Sequence, residues 1–434
     1  MLGGGTFLVQ NKVLPGSYIN FVSVSRASAK LSERGFVCLP YELGWGPENK
    51  MITVENSDFQ KNCMSIFGYD YASDEMKPFR DLFINTKTAY CYRLVNNGTK
   101  ATNTYATAKH SGVRGNDIKI VIETNTEDES KYDVKTLLGS YQIDIQTVAN
   151  ATGLIDNEFV SFKKDADLTA TAGTPLTGGN NGEAVTGNQY QSFLAAAESY
   201  SFNTLVCPSK EEVIKGLFIS FTKRLRDETG VKFQCVVYNA VKPDYEGIIN
   251  VKNSVNGTNE AALVYWIAGA EAGCDVNKSV TNTLYNGEYT VSADYTQTQL
   301  ETAIEDGYLV LHSVNGEIRI LRDINSFVSF TDNKNEDFSS NQVIRVLDQI
   351  GNDIAVLFNT KYLGKVPNDD AGRLSLWNDI VTYNKQLEQL RAIENFDPAE
   401  LAVEKGDSKN AVVVTNPVTP VMAMEKLYMT VYVS

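Results

Sequence analysis

Asp117-Ile118-Lys119-Ile120-Val121-Ile122-Glu123, then Tyr132-Asp133-Val134-Lys135-Thr136, then Tyr141-Gln142-Ile143-Asp144-Ile145 form the stretch in which the periodicity of the chain changes. Apolar side chains recur at every second position, at Ile118, Ile120 and Ile122, at Tyr132 and Val134, and at Tyr141, Ile143 and Ile145; Val160 and Phe162 repeat the spacing. A strand places alternate residues on opposite faces, so each segment offers one apolar and one wet face. Residues 97–187 are therefore predicted to form a small antiparallel sheet or barrel. Its Gly/Thr/Asn-rich end, residues 169–187, is predicted to be a loop.

On either side the pattern is different. Before the insertion come a strand at Phe36–Leu39, helices at Asn56–Phe67 and Met76–Ile84, and a strand at Thr88–Leu94. After it come a helix at Gln189–Tyr200, a strand at Asn203–Cys207 and an amphipathic helix at Lys210–Glu228. Val213, Ile214, Leu217, Phe218, Phe221 and Leu225 share one face of that last helix. A strand at Lys232–Tyr238, helices at Glu260–Ala272 and Gln297–Asp306 and a strand at Tyr308–Leu311 follow. The same alternation resumes after the interruption, so one domain is split around another. The expected fold is α+β or α/β and multi-domain: a mixed sheet flanked by helices, an inserted antiparallel β-domain, and extended arms at both termini. The boundaries read 1–16 (arm), 17–96 (first part of the core), 97–187 (insertion), 188–339 (second part of the core), 340–416 (helical part) and 417–434 (terminal strand).

The ends carry the other strong signals. Three glycines precede an apolar stretch, Thr6 to Leu14, and Ser17–Val24 alternates like a strand. Residues 340–396 hold two long helices separated by Pro367-Asn368-Asp369-Asp370, with Asp370 expected to cap the second. At the C-terminus Leu427, Met429, Val431 and Val433 alternate with Tyr428, Thr430 and Tyr432, after a hinge marked by Pro417 and Pro420. A strand of this length spans roughly 30 Å and can pair in its own sheet or in a neighbour's.

Composition narrows the function. The 434 residues are 43% hydrophobic and 21% charged, as in an ordinary folded protein. Lys+Arg total 39 against 53 Asp+Glu, a net charge of −14, which disfavours broad nucleic-acid binding. The six cysteines include no Cys-x-x-Cys pair and mostly lie in apolar runs, so free, buried, reduced thiols and synthesis in a reducing cytoplasm are expected. The start lacks the basic and apolar regions of a signal peptide, and no 18-residue apolar window exists, so no membrane insertion is expected.

Catalytic patterns are weak. Only two histidines occur, His110 and His312, with no metal-binding spacing. Gly364-Lys365 is followed by Val366 and makes no phosphate loop. Ser220 and Lys223 fall within the amphipathic helix, and Asp165 and Asp167 lie in a turn without further ligands. The 22 tyrosines and 19 phenylalanines are scattered through core-like patterns, as packing requires. No enzyme, no metal and no cofactor are expected.

A set of segments in order resembles the contractile tail sheath proteins of myophages and phage-tail-like bacteriocins. They are Pro15-Gly16-Ser17-Tyr18-Ile19-Asn20-Phe21, Glu33-Arg34-Gly35-Phe36-Val37, Leu43-Gly44-Trp45-Gly46-Pro47 and Ala108–Ile118 with its Gly112-Val113-Arg114-Gly115-Asn116. Trp266–Gly273, Asn277-Lys278-Ser279, Asp323-Ile324-Asn325, Asn341–Asp348, Tyr362–Val366 with Gly372-Arg373, and Met424–Val431 continue the series. The resemblance covers almost the whole chain but is slight in the insertion beyond its first strands.

The resemblance implies a structural subunit that polymerises with itself as a helical sleeve, in rings of six, around a tail tube. Further partners would be the baseplate and the tail terminator proteins. The place would be a virion tail or tail-like particle, made in the bacterial host cytoplasm. Linking residues would be Thr6, Phe7, Leu8, Val9, Val13 and Leu14 of the N-terminal arm and Glu425, Leu427, Tyr428, Met429, Val431 and Val433 of the C-terminal strand. By the same analogy the C-terminal part lies inside, with Lys365, Asp369, Asp370 and Arg373 as tube-facing residues, although a solvated helix cap explains these charges as well. The alternatives are a cell-surface or adhesin-like protein using the insertion, a carbohydrate-active enzyme, and a tail tube protein; long helices argue against the last.

Overall fold

The structure, a computed structural model, describes residues 31–257 and 259–433. The N-terminal arm and the Ser17–Val24 segment lie outside the described residues. The chain forms two compact units, one of Ser32–Asn352, Leu387–Phe396 and Val418–Ser434, the other including Asp353–Gln386 and Asp397–Pro417.

The first unit is built on a seven-stranded sheet ordered Tyr308–Leu309, Ile248–Val251, Gln234–Tyr238, Thr204–Val206, Phe36–Tyr41, Thr88–Arg93, Met51–Glu55. All neighbours are parallel except the edge strand Met51–Glu55. Phe36–Tyr41 sits between Thr88–Arg93, which precedes the insertion, and Thr204–Val206, which follows it. The sheet is thus completed from both sides of the inserted domain.

Both faces are covered, which is why these strands read as apolar runs. Val37, Leu39, Val206, Val236 and Ile249 pack with Phe59, Phe67, Phe79 and the Leu263–Gly273 helix. Their sequence neighbours Cys38, Leu205, Cys207, Cys235, Val237 and Ile248 pack on the opposite face with Tyr190, Phe193, Phe218 and Phe221. Cys38, Cys63, Cys91, Cys207 and Cys235 are free and buried, and Cys274 is free and half-buried.

The insertion is two facing antiparallel sheets. One is ordered Thr171–Pro175, Ile118–Thr124, Tyr132–Leu138, Tyr141–Val148; the other is Lys100–Thr102, Ala106–Ser111, Val160–Phe162. Ile118, Ile120, Ile122, Val134, Leu138, Val160 and Phe162 fill the space between them. The Thr171–Pro175 strand lies in the stretch expected to be a loop. Its sequence, Thr-Ala-Gly-Thr-Pro, has no apolar alternation to reveal it, and as an edge strand it needs only one partner.

Insertion and core meet at two glycine-containing segments. Arg93, fully buried, donates from Nε to the Leu43 carbonyl and from Nη1 to the Gly46 carbonyl, both at 2.8 Å. Trp45 stacks on Phe159 with ring centroids 5.4 Å apart and meets His110 edge-on at 5.1 Å. Burial, and next the Arg93 charge, push His110 down to about 4. Gly112 has φ +123°, and a Cβ there would lie 2.1 Å from the Gly44 carbonyl oxygen, so only glycine lets the two backbones approach.

In the second unit, Tyr383 Oη donates to the Asp353 carboxylate at 2.8 Å, Tyr362 Oη to Asp379 at 2.6 Å, and Trp377 Nε1 to the Leu401 carbonyl at 3.0 Å. A hairpin pairs Ala402–Lys405 with Val412–Thr415.

Candidate assembly interface

The C-terminal segment leaves the first unit in steps. Thr419–Pro420 pairs with Ile393–Glu394, and the Val421 N–H donates to the Ala392 carbonyl at 2.9 Å. The Ala423 N–H donates to Gln342 Oε1 at 2.9 Å. Glu425 accepts from Thr281 Oγ1 at 2.9 Å and from Arg322 Nε at 2.9 Å. Beyond it Leu427, Tyr428, Tyr432 and Val433 are 86–92% exposed, and Met429 and Val431 are 73% and 69% exposed. Residues 426–433 make no backbone hydrogen bond to another described residue. The terminal alternation is present, but it pairs with no described strand of its own chain.

Thr281 stands on a buried charge cluster. Arg345, 1% exposed at its side chain, reaches Glu271 Oε2 at 2.5 Å and Asp323 Oδ2 at 3.3 Å. Its Nη1 also donates to the Lys278 carbonyl at 2.6 Å. Asp323 holds the Val280 N–H and Ser279 Oγ at 3.1 Å, and its own N–H donates to Thr281 Oγ1 at 2.9 Å. Two carboxylates share one guanidinium here. Burial first, and the Asp323 charge second, push Glu271 up to about 8. Burial also raises Asp323, but the Arg345 charge and its hydrogen bonds outweigh it and hold this carboxyl below the usual range. Glu271, Asp323 and Arg345 were not singled out by chemistry in the sequence; their signal is a lone charge inside an apolar pattern, as in Leu263–Gly273.

Of the charges at the Pro367–Arg373 turn, one caps a helix and two pair with each other. Asp369 Oδ1 accepts the Gly372 N–H at 2.8 Å, so Asp369 and not Asp370 caps the Asp370–Gln389 helix. Asp370 is fully exposed and pairs with Arg373, which also donates to the Asn368 carbonyl at 3.0 Å. Lys365 is exposed, with Nζ on the Thr360 carbonyl at 2.6 Å. Nearby, Phe358, Tyr362, Val366, Leu376 and Val412 line a cavity of about 440 Å³. Among the described residues no group of three His, Cys, Asp or Glu is placed to hold a metal ion, and no helix is long and apolar enough to cross a membrane.

Family comparisons cover nearly all of the chain from residue 34 onward. Residues 34–94 match the tail sheath protein Gp18 domain III N-terminal region, and 96–181 the phage tail sheath protein beta-sandwich domain. Residues 183–326 match the phage tail sheath protein central domain, and 333–434 the phage tail sheath C-terminal domain. The phage-like element PBSX protein XkdK of Bacillus subtilis (strain 168) is 32% identical over the whole of both chains. A crystal structure of the sheath tail protein from Desulfitobacterium hafniense is 39% identical, covers 93% of this chain and 96% of its own, and superposes with a TM-score of 0.83. The anti-feeding prophage helical sheath, determined in the contracted state, covers 97% of this chain and 99% of its own with a TM-score of 0.59; at 11% identity it shows a shared fold. The match includes the inserted domain, which leaves the adhesin-like reading without support. The motif resemblance and the expected fold class are borne out: the chain belongs to the phage tail sheath protein family and is a structural subunit of that class.

Proposed function

We propose that this subunit polymerises head to tail as a helical sleeve of six-membered rings around a tail tube, and that the sleeve shortens to drive the tube through a target envelope. The exposed, alternating and unpaired segment 427–433 carries this reading. Unpaired strands template association, and a contact that does not close on itself builds a filament. Leu427, Tyr428, Met429, Val431 and Val433 add a strand to a neighbouring subunit, and Thr6, Phe7, Leu8, Val9, Val13 and Leu14 of the N-terminal arm make the complementary link. Bodies joined by such arms re-dock without losing connection, a rigid-body change between two packings. The energy is stored at assembly, so the protein performs no catalysis and needs no cofactor. A few kcal/mol of added apolar burial per subunit accumulates over many copies.

The baseplate and tail terminator bound the sleeve at its ends. Lys365, Asp369, Asp370 and Arg373 face the tube, with Lys365, Asp369 and Asp370 exposed and Arg373 half-buried. The particle is a phage tail or a tail-like relative, assembled in the host cytoplasm.

Negative-stain electron microscopy of the full chain beside a variant ending at Lys426 tests the reading. Tubes or rings from the full chain and monomers from the truncation are expected. Equal assembly by both would contradict the donated strand.

A further inference from the structure

We infer that Glu425 is not part of the donated strand but the latch that fixes where the strand leaves the body, and so sets its reach. The inference rests on the donated-strand reading above. Three alternate positions hold the segment to the body: the Val421 N–H on Ala392, the Ala423 N–H on Gln342, and the Glu425 carboxylate on Thr281 and Arg322. Met422 and Met424, which lie between them, make no hydrogen bond to the described residues of the body, so the anchors alternate, as they do along an extended chain lying on a surface. After Glu425 no further anchor follows among the described residues, and the side chains are open from Leu427 onward.

The seat of the latch is stiff. Arg322 and Glu425 are 24% and 18% exposed at their side chains, so the pair is sheltered more than an ordinary surface bridge. Thr281, which donates to Glu425, receives the Asp323 N–H, and Asp323 is held in turn by Arg345 and by the Val280 N–H. A pull on the arm is therefore carried through Glu425 into the buried cluster instead of peeling residues 421–425 from the surface.

Length shows what the latch does. With Glu425 held, the seven residues 427–433 reach about 23 Å; freeing 421–425 as well would add roughly 16 Å. A closed latch thus limits how far two linked bodies separate. Glu425 is a positioning residue for assembly, acting through the strand beyond it.

The test uses the full chain, Glu425→Ala, the exchanged pair Glu425→Arg with Arg322→Glu, and the variant ending at Lys426. Hydrogen exchange of residues 421–426 is measured in the unassembled proteins, with the thermal midpoint as a control for global stability. Exchange about fivefold faster in Glu425→Ala, with the midpoint unchanged and the exchanged pair restored toward the parent, is the expected result. The concentration for half-assembly should rise about two- to fivefold in the same variant, because a longer tether lowers the effective concentration of the strand. Unchanged exchange in Glu425→Ala, or no rescue by the exchanged pair, overturns the latch whatever the assembly assay gives. If the truncation polymerises like the full chain, the donated strand falls and the positioning role with it. If the truncation fails to assemble while Glu425→Ala matches the parent in exchange and assembly, the donated strand stands and the latch alone is refuted.

Discussion

Glu271 lies in a helix whose other residues from Leu263 to Ala272 are apolar or small, and its carboxyl is 1% exposed. A charge there is tolerable only in company, and Arg345, 74 residues later, supplies it. With the Asp323 carboxylate already on Arg345, ionising Glu271 would bury a second negative charge beside it. Its ordinary value is 4.5 and its folded value about 8, so between those limits the native protein holds a proton that the unfolded chain has released. Stability then falls as pH rises through that window. Glu271→Gln should remove this part of the decline, being near the parent at pH 5 and more stable at pH 8 in urea unfolding. Arg345→Met should cost about 3–5 kcal/mol by leaving the carboxylates unpaired. A parent and Glu271→Gln with parallel pH profiles would refute the protonated Glu271. All three segments of this cluster lie in stretches that resemble the sheath family, but no local pattern in them marks chemistry. Periodicity counts apolar positions; it does not pair an acid with a base far along the chain.

The elements divide by how local their causes are. Helix Asn56–Phe67 is readable from the spacing of Phe59, Cys63 and Phe67, although no side chain caps its start, and Gln297–Glu305 has a local cap in Thr296 with Gln299. The strands Met51–Glu55 and Ile248–Val251 were missed: the second is buried on both faces and too short to show a period. Glycine motifs at 43–47 and 112–116 were visible as strings, while their shared purpose, the close approach of Gly112 to Gly44, needed the fold. Asp369 and Asp370 illustrate the limit at one residue. Asp370 is the cap expected from sequence, and backbone geometry gives that role to Asp369. Asp369→Ala should cost about 1 kcal/mol in thermal unfolding. Asp370→Ala should stay within about 0.5 kcal/mol, since its side chain is fully exposed and its bond to Arg373 is a surface pair. Equal losses would mean that the cap is shared.

At the scale of the molecule, the split core, the inserted β-domain and the unpaired terminus follow from patterns visible in the chain. The inserted sandwich is readable because its strands are half wet; of its second sheet only Val160–Phe162 is, because Lys100–Thr102 and Ala106–Ser111 alternate small and polar residues. On the proposed reading the terminus acts in the polymer, where another copy supplies the partner strand. Sixty-nine per cent exposure is the lowest among Leu427, Tyr428, Met429, Val431, Tyr432 and Val433, an arrangement that leaves much apolar surface in water, which the proposed strand donation would cover. The most direct measurement is hydrogen exchange of residues 427–433 in the free subunit and in the assembled sheath. The account predicts fast exchange in the free subunit and strong protection of the ladder-forming amides in the sheath. Fast exchange in both would contradict strand donation, and with it the linkage on which the sleeve is built.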